Sequence, residues 1–350
     1  MDYKQLKIFL SQENENKSIP LFGIIEPTDR CNLQCTHCYI PKNKKYTNAR
    51  KELSLLEIKT FLQTISKEGC LEILFTGGEP FIRKDFLDIY TFTKKLGIIP
   101  SIYTNGTLIT PQIADYLQRW RPFFIEITLY GATAKTYETI TGIPGSFKKC
   151  LNGIKLLKER KIPLGLKVVV MKENLHEFYA IKKMAEKFNI LFRFSTVIDA
   201  KLDGSKDPFK HRISINKGVE LEMATKDYRK GWEESSRERE KEMEKRRGYL
   251  YYCNGGLHTF HLNPFGDLSF CTFMHSGLNV RNKSFKEIFY KYFPKIRSQL
   301  VPENYKCNNC KIRSICDQCP ARAKMNTGDS TKIVNYFCKY AHLRAKYVNL

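Results

Sequence analysis

The sequence predicts an α/β protein: a partial, six-stranded (β/α)6 TIM-like barrel followed by a small cysteine-rich domain. Three observations lead there. Short apolar runs alternate with helix-period segments from residue 22 onward. Six such runs are too few for a closed eight-stranded barrel. After residue 250 the composition turns to Cys, Asn, Gly and aromatics, with seven of the twelve cysteines.

The expected strands are Phe22–Glu26, Leu71–Thr76, Ile98–Thr104, Phe124–Leu129, Leu164–Val170 and Leu191–Thr196. They are rich in Ile, Val, Leu, Phe and Thr, as strands buried on both faces are. Amphipathic segments separate them. "LSLLEIKTFLQTISKEG" opens with Ser54 and Glu57 at capping-box spacing and stops at Gly69, and "RKDFLDIYTFTKKLG" stops at Gly97. Repeated strand–helix alternation implies βαβ units and a parallel sheet.

The expected boundaries are an N-terminal extension over 1–21, the barrel over 22–202, a charged helical linker over 203–250 and the cysteine-rich domain over 251–350. In the linker, "GWEESSREREKEMEKRRG" reads as a solvated helix. No apolar run is long enough to span a membrane, and the N-terminus carries no apolar signal segment, which points to the cytoplasm. The net charge of +23 is spread through every segment, so it reads as solvated faces more readily than as a nucleic-acid footprint.

Cysteine is the outlying residue. In a reducing compartment, clustered cysteines point to metal rather than disulfides. Cys70 and Cys150 stand alone and read as small buried apolar side chains. Cys31, Cys35 and Cys38 follow the first strand in "DRCNLQCTHCYIP". Three thiolates suit three irons of a cubane cluster and leave the fourth iron open. A zinc site using His37 is the competing reading, although structural zinc closes its fourth position.

"CNLQCTHCY" resembles the signature of the radical S-adenosylmethionine (SAM) superfamily. By that resemblance Cys31, Cys35 and Cys38 hold a catalytic 4Fe–4S cluster, and SAM chelates its open iron. "FTGGEP", with Gly77, Gly78, Glu79 and Pro80, follows the second strand and would grip the amino-acid end of SAM. The paired glycines would bare backbone N–H groups, and Glu79 would meet an ammonium. Thr104 and Asn105 follow the third strand. Thr128 follows the fourth, where relatives often carry Ser, and its hydroxyl would contact SAM. Tyr39 would flank the adenine. The order of these motifs, each at a strand's C-terminal end, is what makes the set specific.

The later cysteines resemble the SPASM extension, which carries two auxiliary 4Fe–4S clusters. The resemblance assigns Cys307, Cys310, Cys316 and Cys338 to a distal cluster, and Cys253, Cys271 and Cys319 to a proximal one with an open iron. His258 and His261 lie in the gap where some relatives have another cysteine. Two departures stand out. Cys316 and Cys319 are separated by two residues where three are common. Thr272 stands where sulfatase-maturing relatives have an acid, which argues against formylglycine formation.

The resemblance implies hydrogen abstraction by a 5′-deoxyadenosyl radical, with the auxiliary clusters accepting the substrate's electron. A ribosomally synthesised peptide is the expected substrate, oxidised or crosslinked. The 21 residues before the first strand are too few for a recognition domain, so a separate small peptide-recognition protein is expected, with a flavodoxin or ferredoxin as electron donor. Three alternatives stay open. They are a small molecule such as a tetrapyrrole side chain, an RNA substrate, and a non-catalytic zinc-binding interaction module.

Overall fold

The computed structural model describes residues 9, 10, 13, 17–41, 50–274 and 277–348. Residues 1–8, 11, 12 and 14–16 of the expected N-terminal extension lie outside these. The six expected strands all form, as β1 (Phe22–Ile25), β2 (Glu72–Phe75), β3 (Ile99–Thr104), β4 (Phe124–Thr128), β5 (Leu164–Val169) and β6 (Leu191–Ser195). Each pairs in parallel with the next.

Helices cross back between the strands: α1 (Leu55–Lys67), α2 (Phe86–Lys95), α3 (Pro111–Arg119), α4 (Ala134–Thr141), α5 (Ser146–Glu159) and α6 (Phe178–Phe188). The Ser54–Glu57 capping box starts α1 as its spacing requires. Its Ile58, Phe61, Leu62 and Ile65 are buried, as are Ile73 and Phe75 of β2 and Ile125 and Ile127 of β4. Burying each such side chain contributes roughly 1.5–3 kcal/mol. Cys70 and Cys150 are buried among them, unpaired.

The alternate face of the strands lines the barrel interior. It carries Tyr103, Glu126, Lys167 and Arg193, with Tyr103 opposite Glu126 and Lys167 opposite Arg193.

The charged segment folds into α7 (Ile215–Ala224) and α8 (Lys226–Lys245). Helix α7 buries Val219, Leu221 and Glu222. Helix α8 is mostly solvated, but its Arg239 reaches the carbonyls of Ser314 and Cys316.

The sheet does not stop at β1. Strands β7 (Thr259–Leu262), β8 (Asp267–Ser269) and β9 (Leu278–Asn279) extend it, giving the order β6-β5-β4-β3-β2-β1-β7-β8-β9. β7 lies parallel to β1, with Phe22 opposite Thr259 and Ile25 opposite Leu262. Gly23 permits this, because a Cβ there would lie 2.3 Å from the Phe260 ring. The sheet therefore runs across residue 251.

Beyond it, α9 (Pro320–Thr327) and α10 (Asn335–Arg344) are joined by buried ion pairs. Arg344 bonds Glu222 at 2.7 Å and Asp317 at 2.6 Å. Arg322 bonds Asp199, just past β6, at 2.6 Å. Burial acts to raise the Asp317 carboxyl, but Arg344 and Arg322 outweigh it and hold it below the usual range.

Candidate functional site

Cys31, Cys35 and Cys38 lie on the loop at the C-terminal end of β1. The "GGEP" turn clamps this loop from below. The Gly78 N–H donates to the Thr28 carbonyl at 2.9 Å, and the Glu79 N–H to the Arg30 carbonyl at 2.9 Å. A Cβ at Gly78 would sit 2.2 Å from the Arg30 carbonyl oxygen. Gly77 takes φ +107°, and a Cβ there would lie 2.5 Å from the Thr28 carbonyl oxygen. The glycines thus let two backbones touch, and the N–H groups of Gly78 and Glu79 are used inside the protein.

The Glu79 carboxylate is also spoken for. It accepts from the Thr104 hydroxyl at 2.7 Å, the Asn105 N–H at 2.8 Å and the Phe81 N–H at 3.2 Å. Burial raises its carboxyl to about 7 against the pull of those donors. Asn105 extends the network, reaching Asn32 at 2.9 Å and the Cys31 sulfur at 3.7 Å. Thr128 ends β4 on the same rim. Pro80 opens a short turn capped by Glu79.

Tyr39 donates to the Glu26 carboxylate at 3.1 Å, and His261 approaches the same oxygen at 3.4 Å. His258 is buried against the Ile19 carbonyl. His37 is half-buried and packs edge-on against Tyr130. Burial, aided by His211, lowers its pKa to about 3, so it is neutral.

The later cysteines sort into two groups. Cys253, Cys271 and Cys319 form the first. These three line a cavity of about 1200 Å3. Cys307, Cys310, Cys316 and Cys338 surround a small cavity of about 30 Å3, and Cys316 lines both spaces. Cys316 therefore stands between the two sets expected from the sequence. Among the described residues, no three Cys, His, Asp or Glu side chains converge closely enough to grip a single ion. Thiols are soft donors, and a cubane takes one thiolate per iron at its corners.

Because β7 is parallel to β1 and β8 antiparallel to β7, Cys253 and Cys271 lie where β1 begins. Cys31, Cys35 and Cys38 lie where β1 ends. The four residues of β1 span roughly 13 Å, and the two thiol sets stand at opposite ends of that strand.

The barrel interior holds a polar group that the sequence reading did not single out. Glu126, 1% exposed, bonds Arg193 Nε at 2.7 Å, and Arg193 bonds the Tyr103 hydroxyl at 2.7 Å. Lys167 lies 4.0 Å from Glu126, and burial lowers its ammonium below the usual range. A charged residue inside each apolar run, as in "FIEIT", "LKVV" and "LFRFS", was the available signal.

A three-cysteine loop at the C-terminal end of the first strand, braced by a glycine turn on the second, defines a radical SAM barrel. Residues 25–185 match the family model of the radical SAM superfamily. The chain carries that domain and is a radical SAM enzyme, and its cysteine-rich C-terminal region fits the SPASM pattern. It is 27% identical over 327 residues to the AdoMet-dependent heme synthase of Methanosarcina barkeri, covering 87% of this chain and 92% of that protein. It is 25% identical over 315 residues to the antilisterial bacteriocin subtilosin biosynthesis protein AlbA of Bacillus subtilis, covering 86% and 65%. Streptococcus suis SuiB bound to precursor peptide SuiA has the same fold, with TM-score 0.68 at 16% identity over 95% of this chain and 79% of that one. No helix among the described residues is long and apolar enough to cross a membrane.

Proposed function

We propose that this chain is a three-cluster radical SAM oxidoreductase that removes hydrogen from a peptide carbon, oxidising or crosslinking the peptide. The sorting of ten cysteines into three spatial sets, two of them at opposite ends of β1, carries this reading. Membership of the superfamily implies a 4Fe–4S cluster and SAM, which together supply the abstracting radical when bound.

In this proposal Cys31, Cys35 and Cys38 hold that cluster. The carbonyl groups of Gly77 and Gly78, not their N–H groups, meet the ammonium of SAM. Glu79 fixes that edge by tying it to Thr104 and Asn105. Thr128 offers its hydroxyl to the amino-acid end, and Tyr39, held by Glu26, sides the adenine pocket. Cys253, Cys271 and Cys319 hold the proximal auxiliary cluster, and Cys307, Cys310, Cys316 and Cys338 the distal one. His258 and His261 serve structure, since each faces a protein acceptor. The electron donor is a flavodoxin or ferredoxin, and a small separate protein presents the peptide.

AlbA and SuiB support a peptide substrate. A second reading, a tetrapyrrole side chain, is favoured by the heme synthase's match along nearly its whole length.

The test is iron and sulfide content of protein purified without oxygen, beside a Cys31/Cys35/Cys38 triple alanine variant. About twelve irons per chain, falling by about four in the variant, is expected. Zinc in place of iron would overturn the proposal. Deuterium carried from labelled peptide into 5′-deoxyadenosine separates the two substrate readings, because the tetrapyrrole reading predicts none.

A further inference from the structure

The cavity beside Cys253, Cys271 and Cys319 is lined by a buried cation. Arg297 lines it and is only 5% exposed. Its Nη1 donates to the carbonyls of Cys253 and Gly255. Its Nη2 is buried and has no hydrogen-bond partner. A buried guanidinium nitrogen without a protein acceptor is costly, and an oxygen of a bound ligand would satisfy it.

The surroundings point the same way. Arg239, Lys241, Lys245 and Arg246 line the cavity with it, against Glu238 and Glu242. Arg246 is the cation nearest in effect to Arg297. Arg322 brings no spare charge, being paired with Asp199 and Asp317. The space is also large. About 1200 Å3 exceeds the usual range of a small-molecule pocket, so it has room for a ligand beside a cluster. Phe22, on the inner face of β1, forms part of its wall, so the cavity adjoins the barrel interior.

We propose that this cavity binds a carboxylate-bearing ligand through Arg297, in the same space that Cys253, Cys271 and Cys319 line. The inference rests on the proximal-cluster reading above and deepens it by naming the chemistry of the substrate's anchored end. Guanidinium and carboxylate match in planar, bidentate geometry. The carboxylate has two sources, an acidic group of a peptide or a propionate of a tetrapyrrole.

The experiment uses anaerobically purified enzyme with its iron counted, and two probes. Metal-free coproporphyrin III, with its carboxylates free, is followed by fluorescence anisotropy, beside its tetramethyl ester. N-acetyl-aspartyl-N-methylamide is the competitor. The free acid is expected to bind at least about tenfold tighter than the ester, with that advantage lost in Arg297→Met at unchanged iron content. Displacement by the aspartyl amide assigns the site to a peptide carboxylate, and its failure assigns it to the propionate.

Ester and acid binding alike, or neither probe binding, would overturn the inference. So would unchanged binding in Arg297→Met. Should that variant lose iron, because Arg297 also holds the Cys253 loop, Arg246→Met decides: weakened acid binding supports the site and unchanged binding overturns it. Wild-type protein lacking iron at the later cysteines would instead sink the cluster reading, a separate failure visible before any probe is added.

Discussion

The two cysteine-bearing ends of this molecule are held by different means. At the Cys31 end, the loop rests on a parallel sheet with a continuous apolar core, and backbone contacts through Gly77 and Gly78 fix its path. At the far end, Cys307, Cys310 and Cys316 sit on short helical turns, and the surroundings are joined by buried charges: Arg344 with Glu222 and Asp317, and Arg322 with Asp199. The first site is shaped by the fold. The second is shaped by charge and, in the proposal above, by metal. Removing metal should therefore separate them.

The largest effect is expected from chelation without oxygen. Residues 306–319 should lose hydrogen-exchange protection by at least about tenfold while β2–β5 keep theirs. Equal protection at both ends would mean that the far end is held without metal. Next comes Arg344→Met. It removes the cation from Glu222 and one of the two from Asp317, in a site where Arg344 is 1% exposed, at a cost of about 3–5 kcal/mol in urea unfolding. A loss under about 1 kcal/mol would show that water reaches the pair.

The Cys31 end answers to pH instead. Glu79 titrates near 7 when folded, above its ordinary 4.5. Between those values the folded state binds the extra proton, so stability falls as pH rises, by roughly 3 kcal/mol across the window. Glu79→Gln should flatten this slope. An unchanged slope would place the titration elsewhere. The smallest effect is expected from Gly78→Ala, which pushes a methyl into the Arg30 carbonyl. A cost of about 1–3 kcal/mol is expected, with iron lost selectively from the Cys31 site. Full iron retention would show that the loop yields.

The barrel was legible because its signals are local. Six apolar runs, a capping box and motifs at strand ends all lie within a few residues of one another, and each strand formed within the expected range. The cysteine sets followed from resemblance, and Cys316, which lines both cavities, belongs spatially to either. What escaped was non-local. "TFHL", "DLS" and "LN" are too short to announce strands, and β7 is defined by an edge more than two hundred residues earlier. The Arg344–Glu222 and Arg322–Asp199 pairs join residues over a hundred positions apart. The Gly78 N–H was expected to face a ligand and instead donates to the Thr28 carbonyl beside the cysteine loop, because only coordinates show where a backbone donor ends.

The parallel pairing of β1 with β7 has a consequence for cutting this protein. Composition changes at residue 251, and a chain ending there looks like a natural fragment. Such a fragment would bare the whole flank of β1, with Phe22–Ile25 offering unpaired N–H and C=O groups along an apolar strand. Exposed edges of that kind recruit other chains. The cysteine-rich region is thus also the barrel's guard against aggregation, a duty it performs whether or not it ever carries an electron.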